Sequence, residues 1–247
     1  MGVTFPNESP EYRAARKHLL EQEVVLRRAM EAVAAARRAL PPGGIVPEDY
    51  LFDAMASDRM PIKIKLSELF APGKNTLVAY HFMFPRHPAD DRPGPEQGAM
   101  AGLSVQDSPC ASCTALLDQL DGAVPHAEQK INFAVIAKSP IDRVVAFGRA
   151  RGWKHLRLLS AANNTFKRDY HGEDADGSQM PNMSVFYRAS NGEIHHTWSS
   201  ELLYEPNDPG QDPRHLGTLE PLWNIFDLTP EGRPKDWDEQ MQYHRCH

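Results

Sequence analysis

The sequence has 247 residues and a formal net charge of −6, and a chain of this length can bury a hydrophobic core without disulfide or metal staples. The negative charge disfavours a main role in binding nucleic acid or anionic membranes. No stretch approaches the ~20 apolar residues of a membrane span, and the N-terminus lacks the apolar core of a signal peptide. We therefore expect a cytoplasmic protein.

A long helix is predicted from Glu11 to Leu40. Ser9 can cap it, and Pro10 fits its first position. The helix either packs on its own domain or docks on a second copy of the chain to form a homodimer. The sequence PPGG at 41–44 ends it. The stripe that would make either contact recurs every seven residues: Tyr12, Leu19, Leu26, Val33 and Leu40.

The next segment predicts strands and one long loop. Short strands are expected at 50–52 and 62–66, and the apolar run from Leu77 to Phe84 has the length of a buried central strand. A segment rich in Pro, Gly and acidic residues follows, from Pro85 to Asp107. Loops of this length are uncommon in compact domains unless they are functional or mobile, so this loop is expected to cover a binding groove.

The remainder alternates between helices and strands. A helix is expected from Cys110 to Leu120, then the strand INFAVIAK, a helix ended by Gly152, the strand HLRLLSA, and a hairpin turning at Asn191-Gly192. This order predicts an α/β fold with a central mixed sheet flanked by helices. The predicted domains are an N-terminal helical arm (1–44), the sheet domain (45–230) and an irregular tail (231–247).

The motif CASC at Cys110–Cys113 carries most of the functional information. Structural zinc sites usually show two close Cys or His pairs, and only one CxxC is present. A permanent disulfide across so short a loop would constrain little. A working dithiol has a mechanism, because Asp107 or Ser108 can cap the helix and leave Cys110 near unpaired N–H groups that favour a thiolate.

The second cysteine of the motif would then complete the reaction. Cys113 lies one helical turn on, and we expect it to be more buried than Cys110 and to resolve a mixed disulfide formed there. A CxxC at a helix start in an α/β pattern is typical of thioredoxin-like proteins. The third cysteine, Cys246, lies in the polar tail and is expected to be dispensable.

A proline ahead of the hairpin extends this interpretation. In MPNMSVFYRASNGEI, Pro181 precedes a strand, the turn Asn191-Gly192 and a second strand. Thioredoxin-like folds place a cis proline at this position beside the CxxC. We therefore expect Met180–Pro181 to be cis and the backbone of Met180 to face a substrate groove. The alternative is an ordinary trans bond.

The motifs ARKHLLEQE, LSELF, YHFMF, CASC, MSVFYR and FDLTPEGR occur in this order. Together they make the chain similar to the thioredoxin-like domain-of-unknown-function family number 899, often labelled predicted dithiol-disulfide oxidoreductases. The resemblance implies a thioredoxin-like fold and redox-active Cys110 and Cys113. This chain differs from ordinary thioredoxins around the CxxC motif, because Pro109 precedes the motif and Ala111-Ser112 lie within it. The stretch SVQDSPC also lacks the proline of the peroxiredoxin motif.

Two functional hypotheses follow. In the first, the chain is a thiol-disulfide oxidoreductase that uses no cofactor or metal and acts on a protein or small-molecule client. Cys110 attacks in this reaction, and Cys113 resolves. In the second, it is a thioredoxin-like binding module whose cysteines are idle or hold a metal, and whose N-terminal helix recruits a partner.

Overall fold

The computed structural model describes residues 3–96, 98 and 100–241. The chain divides into two compact units, residues 1–42 and 43–247. Helix α1 of the first unit, Pro10–Arg38, is capped by Ser9, whose hydroxyl accepts from the N–H of Tyr12 (3.1 Å). This confirms the predicted N-terminal helix, and α1 contains no buried residue. The proposed domain boundaries at 44 and 230 stay predictions.

The second unit is an α/β structure built on a seven-stranded sheet in the order β2-β1-β5-β4-β3-β6-β7. Strands β3, β4 and β5 run parallel, and the remaining pairs are antiparallel. The strands are β1 Leu51–Met55, β2 Pro61–Lys65, β3 Thr76–His81, β4 Asn132–Ala137, β5 Leu158–Ser160, β6 Asn182–Arg188 and β7 Ile194–Ser199.

The α-helices of this unit follow the strands, and the first three of them lie between parallel strands. They are α2 Ala111–Leu120, α3 Val124–Ala127, α4 Ile141–Arg151, α5 Phe166–Asp169 and α6 Pro221–Phe226. Gly152 ends α4 in the left-handed conformation (φ 84°), which glycine adopts without a steric penalty. This topology confirms the predicted thioredoxin-like fold. Within the described ranges, no helix combines the length and hydrophobicity that crossing a bilayer requires.

The sheet has an apolar core on each face, because successive strand residues point to opposite sides. On β3, Tyr80 belongs to the core that also contains Cys110 and Cys113. Its neighbours Leu77 and Ala79 belong to the core on the other face. The two cysteines therefore lie on the α2 face of the sheet, beside strand β3.

The prediction that Met180–Pro181 is cis was wrong: the cis peptide bond in the described part of the chain joins Phe84 to Pro85. The N–H of Met180 donates to the carbonyl of Gly172 (3.1 Å), and the chain then enters β6 through a trans bond. The side-chain amide of Asn182 donates to the carbonyl of Tyr170 (2.9 Å). These two bonds hold an extended approach to the strand, so no cis bond is needed to direct it.

Candidate active site around Cys110

Cys110 is the N-cap residue of α2. Its backbone N–H donates to the carbonyl of Met83 (3.0 Å), and its own carbonyl accepts from both the N–H (3.0 Å) and the hydroxyl (2.8 Å) of Thr114. Its Sγ accepts from the N–H of Cys113 (3.4 Å). An N-cap side chain normally accepts a hydrogen bond from the first turn, and here the acceptor is a sulfur.

Two details of the predicted arrangement are therefore corrected. Neither Asp107 nor Ser108 caps α2: Asp107 pairs with Ser104 (2.8 Å), and the Ser108 hydroxyl donates to the carbonyl of Val105 (2.6 Å). Burial also does not distinguish the two cysteines as expected, since both are almost completely buried, with 1% of Cys110 and 3% of Cys113 exposed. Contacts from distant segments cover Cys110, and local sequence does not show these.

The two thiols are both unbonded and differ in acidity. Hydrogen bonds from the side chain and the backbone N–H of Cys113, together with the Arg92 guanidinium, lower the pKa of Cys110 despite its burial. Burial raises the pKa of the Cys113 thiol well above its usual value, and the neighbouring Cys110 raises it further. The site thus favours a thiolate at Cys110 and a protonated thiol at Cys113.

Arg92 places a positive charge beside the Cys110 sulfur. Its Nη2 lies 3.7 Å from Cys110 Sγ. Asp90 holds the same guanidinium through bonds from Nε (2.8 Å) and Nη2 (2.9 Å). A carboxylate that accepts hydrogen bonds from two guanidinium nitrogens fixes the plane of the guanidinium. Arg92 therefore reaches the sulfur in a defined orientation.

A second arginine ties the long loop to the start of α2. Arg86 is fully buried, and its Nη2 donates to the carbonyl of Pro109 (2.8 Å). Its Nη1 donates to the carbonyl of Arg92 and lies 3.7 Å from Asp90. The predicted 85–107 loop thus contributes charged groups that contact the motif itself.

Two polar side chains lie on the sheet side of Cys113. The Tyr80 hydroxyl of β3 lies near the Cys113 thiol and partly offsets the rise of its pKa. Lys167 is completely buried and donates to the carbonyl of Phe82 (2.8 Å). Burial lowers the pKa of Lys167 to about 7, although Cys113 favours its charged form. Cys113 therefore has two polar groups nearby within a largely apolar core.

The C-terminal segment completes the cover of the site. The Glu239 carboxylate accepts from the Ser112 hydroxyl (2.9 Å) and from Arg92 Nη1 (3.3 Å). Ser112 lies within the CASC motif, so this contact joins the motif, the long loop and the tail. Glu239 is 6% exposed. A buried carboxylate is usually paired, and both of these donors belong to the site.

Sequence reasoning identified the cysteines but missed Arg92, Glu239, Tyr80 and Lys167. The dense charges of PRHPADDR, close before the CxxC, are a usable signal for Arg92. Glu239 and Lys167 stand in polar stretches that give no comparable signal. Met180 and Pro181 are half-buried and precede β6, and their assignment to a substrate groove stays a prediction. Cys246 lies outside the described residues.

In residues 3–96, 98 and 100–241, no group of three or more His, Cys, Asp or Glu side chains is placed to hold a metal ion.

Comparison with solved structures finds peroxiredoxins at low identity. The reduced 2-Cys peroxiredoxin of Plasmodium vivax is 16% identical, with 74% of this chain and 97% of that chain covered and a TM-score of 0.42. The peroxidoxin BcpB of Mycobacterium tuberculosis is 14% identical, with coverages of 74% and 95% and a TM-score of 0.37.

No curated protein matches the chain. A family model described as "Bacterial protein of unknown function (DUF899)" matches residues 3–247. The match spans the N-terminal helix, the sheet and the cysteine site, and the chain therefore belongs to this bacterial family.

Proposed function

We propose that the protein is a thiol-disulfide oxidoreductase that reduces a disulfide client. The Cys110 thiolate attacks one client sulfur, and the other client sulfur leaves as a thiolate. Cys113 then loses its proton to the released thiolate and attacks the sulfur of Cys110. This step frees the second client thiol and leaves a Cys110–Cys113 disulfide. Two electrons pass to the client, and an external thiol reductant restores the dithiol.

The observation that carries the proposal is the asymmetry around the two sulfurs. Cys110 Sγ accepts from the Cys113 N–H (3.4 Å) and lies 3.7 Å from Arg92 Nη2, and these contacts stabilise a negative sulfur. Burial keeps Cys113 protonated. A nucleophilic thiolate beside a reserve thiol one helical turn away is the arrangement that a two-step exchange requires.

The burial of Cys110 sets a condition on this chemistry. A client sulfur has to reach a side chain that is 1% exposed, so the covering residues from the loop and the tail have to move first. The segment at Met180–Pro181 is proposed to border the resulting groove. In support, Asn182 pairs with His81 at the end of β3, the strand from which the chain continues towards α2.

A neutral disulfide, 2,2′-dithiodipyridine, tests the proposal because each attack releases one coloured thione. In a Cys246→Ser background we expect two equivalents of thione and an intramolecular disulfide. The Cys113→Ala variant should release one equivalent and keep a pyridyl adduct on Cys110. Cys110→Ala should release thione far more slowly. An adduct that forms equally well on either cysteine would contradict the assigned roles.

The binding-module hypothesis remains a second candidate, because both cysteines are buried and could serve only to fill the core. It predicts that native protein releases thione no faster than it unfolds. Comparing the release rate with the rate of global hydrogen exchange separates the two hypotheses. Release that outpaces unfolding and requires Cys110 favours the oxidoreductase.

A further inference from the structure

Glu239 places a carboxylate in a preformed cradle beside the reacting sulfur. Its Oε2 accepts from the Ser112 hydroxyl (2.9 Å) and from Arg92 Nη1 (3.3 Å). The same guanidinium places its Nη2 3.7 Å from Cys110 Sγ. One arginine therefore holds a carboxylate with one nitrogen and faces the sulfur with the other. We call Arg92 Nη1 and the Ser112 hydroxyl the carboxylate cradle.

We propose that the carboxylate cradle recognises the acid group of the client, and that Glu239 occupies this cradle in the resting protein. The client is then a low-molecular-weight disulfide that carries a carboxylate a few bonds from the attacked sulfur. This inference rests on the proposed function, since it names the substrate class of the same site.

The position of Glu239 in the chain favours a side chain that can leave. Two residues before it, Trp237 packs edge-on against Phe226 (5.7 Å between ring centroids). Two residues after it, Met241 is buried in the core that contains the cysteines. Glu239 lies between these anchors, so its side chain can rotate out while the tail backbone stays attached.

Electrostatics also make Glu239 replaceable. With Glu239 in place and Cys110 ionised, the guanidinium groups of Arg86 and Arg92 face four anions: Asp90, Asp238, Glu239 and Cys110. A further carboxyl group, Glu220, lies nearby. Its own burial raises the pKa of Glu220 to about 7, and the negative charge of Glu239 is the second cause of this rise. When Glu239 withdraws, a client carboxylate can take its place on the same donors, and the charge of the site is then the same as in the resting protein.

A cleft leads to this position. It has a volume of about 430 Å³ and is bordered by Arg92, Pro93, Glu96 and residues 236–241. That volume lies within the size range of small-molecule sites. It is small for a folded client, so the chemistry fits a small acidic disulfide better than a protein surface.

The test compares two alkylating reagents of nearly equal size, iodoacetate and iodoacetamide, which differ in charge. Both react with the same Cys110 thiolate and displace iodide, so the ratio of their rates does not depend on the thiol pKa. The ratio is measured in full-length protein carrying Cys246→Ser and is divided by the ratio for a small reference thiol. Glu239→Ala vacates the cradle. Glu231→Ala removes an exposed charge from the same tail, outside the cleft, and is the matched control.

We expect Glu239→Ala to raise the iodoacetate-to-iodoacetamide ratio about tenfold over the parent and over Glu231→Ala, because hydrogen bonds between charged groups change an equilibrium by at least that factor. Adding Ser112→Ala should lower the raised ratio severalfold. Glu239→Gln keeps the shape of the side chain and should raise the ratio less. It replaces Glu239→Ala if thermal melting shows that the alanine variant does not fold.

Equal acceleration of both reagents by Glu239→Ala would show that Glu239 only covers the sulfur, and it would overturn the inference alone. An unchanged ratio in every variant would do the same. If iodoacetamide fails to label Cys110 in any folded variant, the proposed function falls, and the inference falls with it.

Discussion

The buried Lys167 should give the protein a stability that rises with pH. Burial lowers its pKa from 10.5 to about 7 in the folded chain, so between these values the unfolded chain holds a proton that the folded chain does not. Stability rises with pH wherever the unfolded state binds more protons. Each pH unit in this window contributes about 1.4 kcal/mol, and the interval from pH 8 to 9.5 should contribute about 2 kcal/mol.

The substitution Lys167→Met removes this contribution. It also removes one of two hydrogen bonds to the carbonyl of Phe82, which keeps the N–H of Phe84 (3.0 Å) as a donor. The loss costs about 1 kcal/mol at every pH and does not change the slope. The measurement is the free energy of unfolding by urea at several pH values from 8 to 9.5, under reducing conditions. The wild type minus the variant should rise by about 2 kcal/mol across this range.

The exposed lysine variant Lys130→Met provides the control, because it removes a lysine from the surface. It should follow the wild-type pH dependence. If wild type and Lys167→Met show parallel curves, Lys167 keeps its proton in the folded protein, and the argument from burial is refuted.

Three further predictions concern other parts of the chain. Gly172→Ala should destabilise the protein by about 2 kcal/mol in urea unfolding, since its Cβ would lie 2.1 Å from Nδ1 of the buried His81; an unchanged midpoint would contradict this. Arg92→Gln should raise the pKa of Cys110 by removing the nearby positive charge, so the alkylation profile should shift to higher pH rather than stay in place. If the apolar stripe of α1 mediates a homodimer, light scattering should give twice the chain mass, and deletion of residues 1–40 should halve it; a monomeric full-length protein would exclude the dimer.

Much of the fold could be predicted because its signals are local. The apolar run at Leu77–Phe84 and the turn at Asn191-Gly192 mark their strands without knowledge of any distant residue. The structure places β3 at Thr76–His81 and the hairpin strands on either side of that turn. The shorter edge strands were harder to delimit, since β1 extends to Met55 beyond the predicted 50–52.

The site could be predicted only in part, because its geometry depends on residues far apart in the sequence. The CxxC and its helix are local features. Arg92 and Glu239, which meet at Ser112, are separated by more than half of the chain. The burial of Cys110 follows from this meeting, so no window around the motif shows it. The cis bond at Phe84–Pro85 similarly belongs to a turn whose partners, Lys138 and Ser139, come later in the chain.

Arg86 fixes the first part of the long loop, which carries Arg92, and leaves the part after Arg92 to control access to the site. Arg86 binds the carbonyls of Pro109 and Arg92, and its own N–H donates to the carbonyl of Ser108 (2.9 Å). Breaking these bonds would leave a buried guanidinium unpaired, which is strongly unfavourable. A hinge for the long loop should therefore lie after Arg92. During evolution, insertions or substitutions in the loop after Arg92 could change which clients reach the site. The contact between Arg92 and the Cys110 sulfur would be kept.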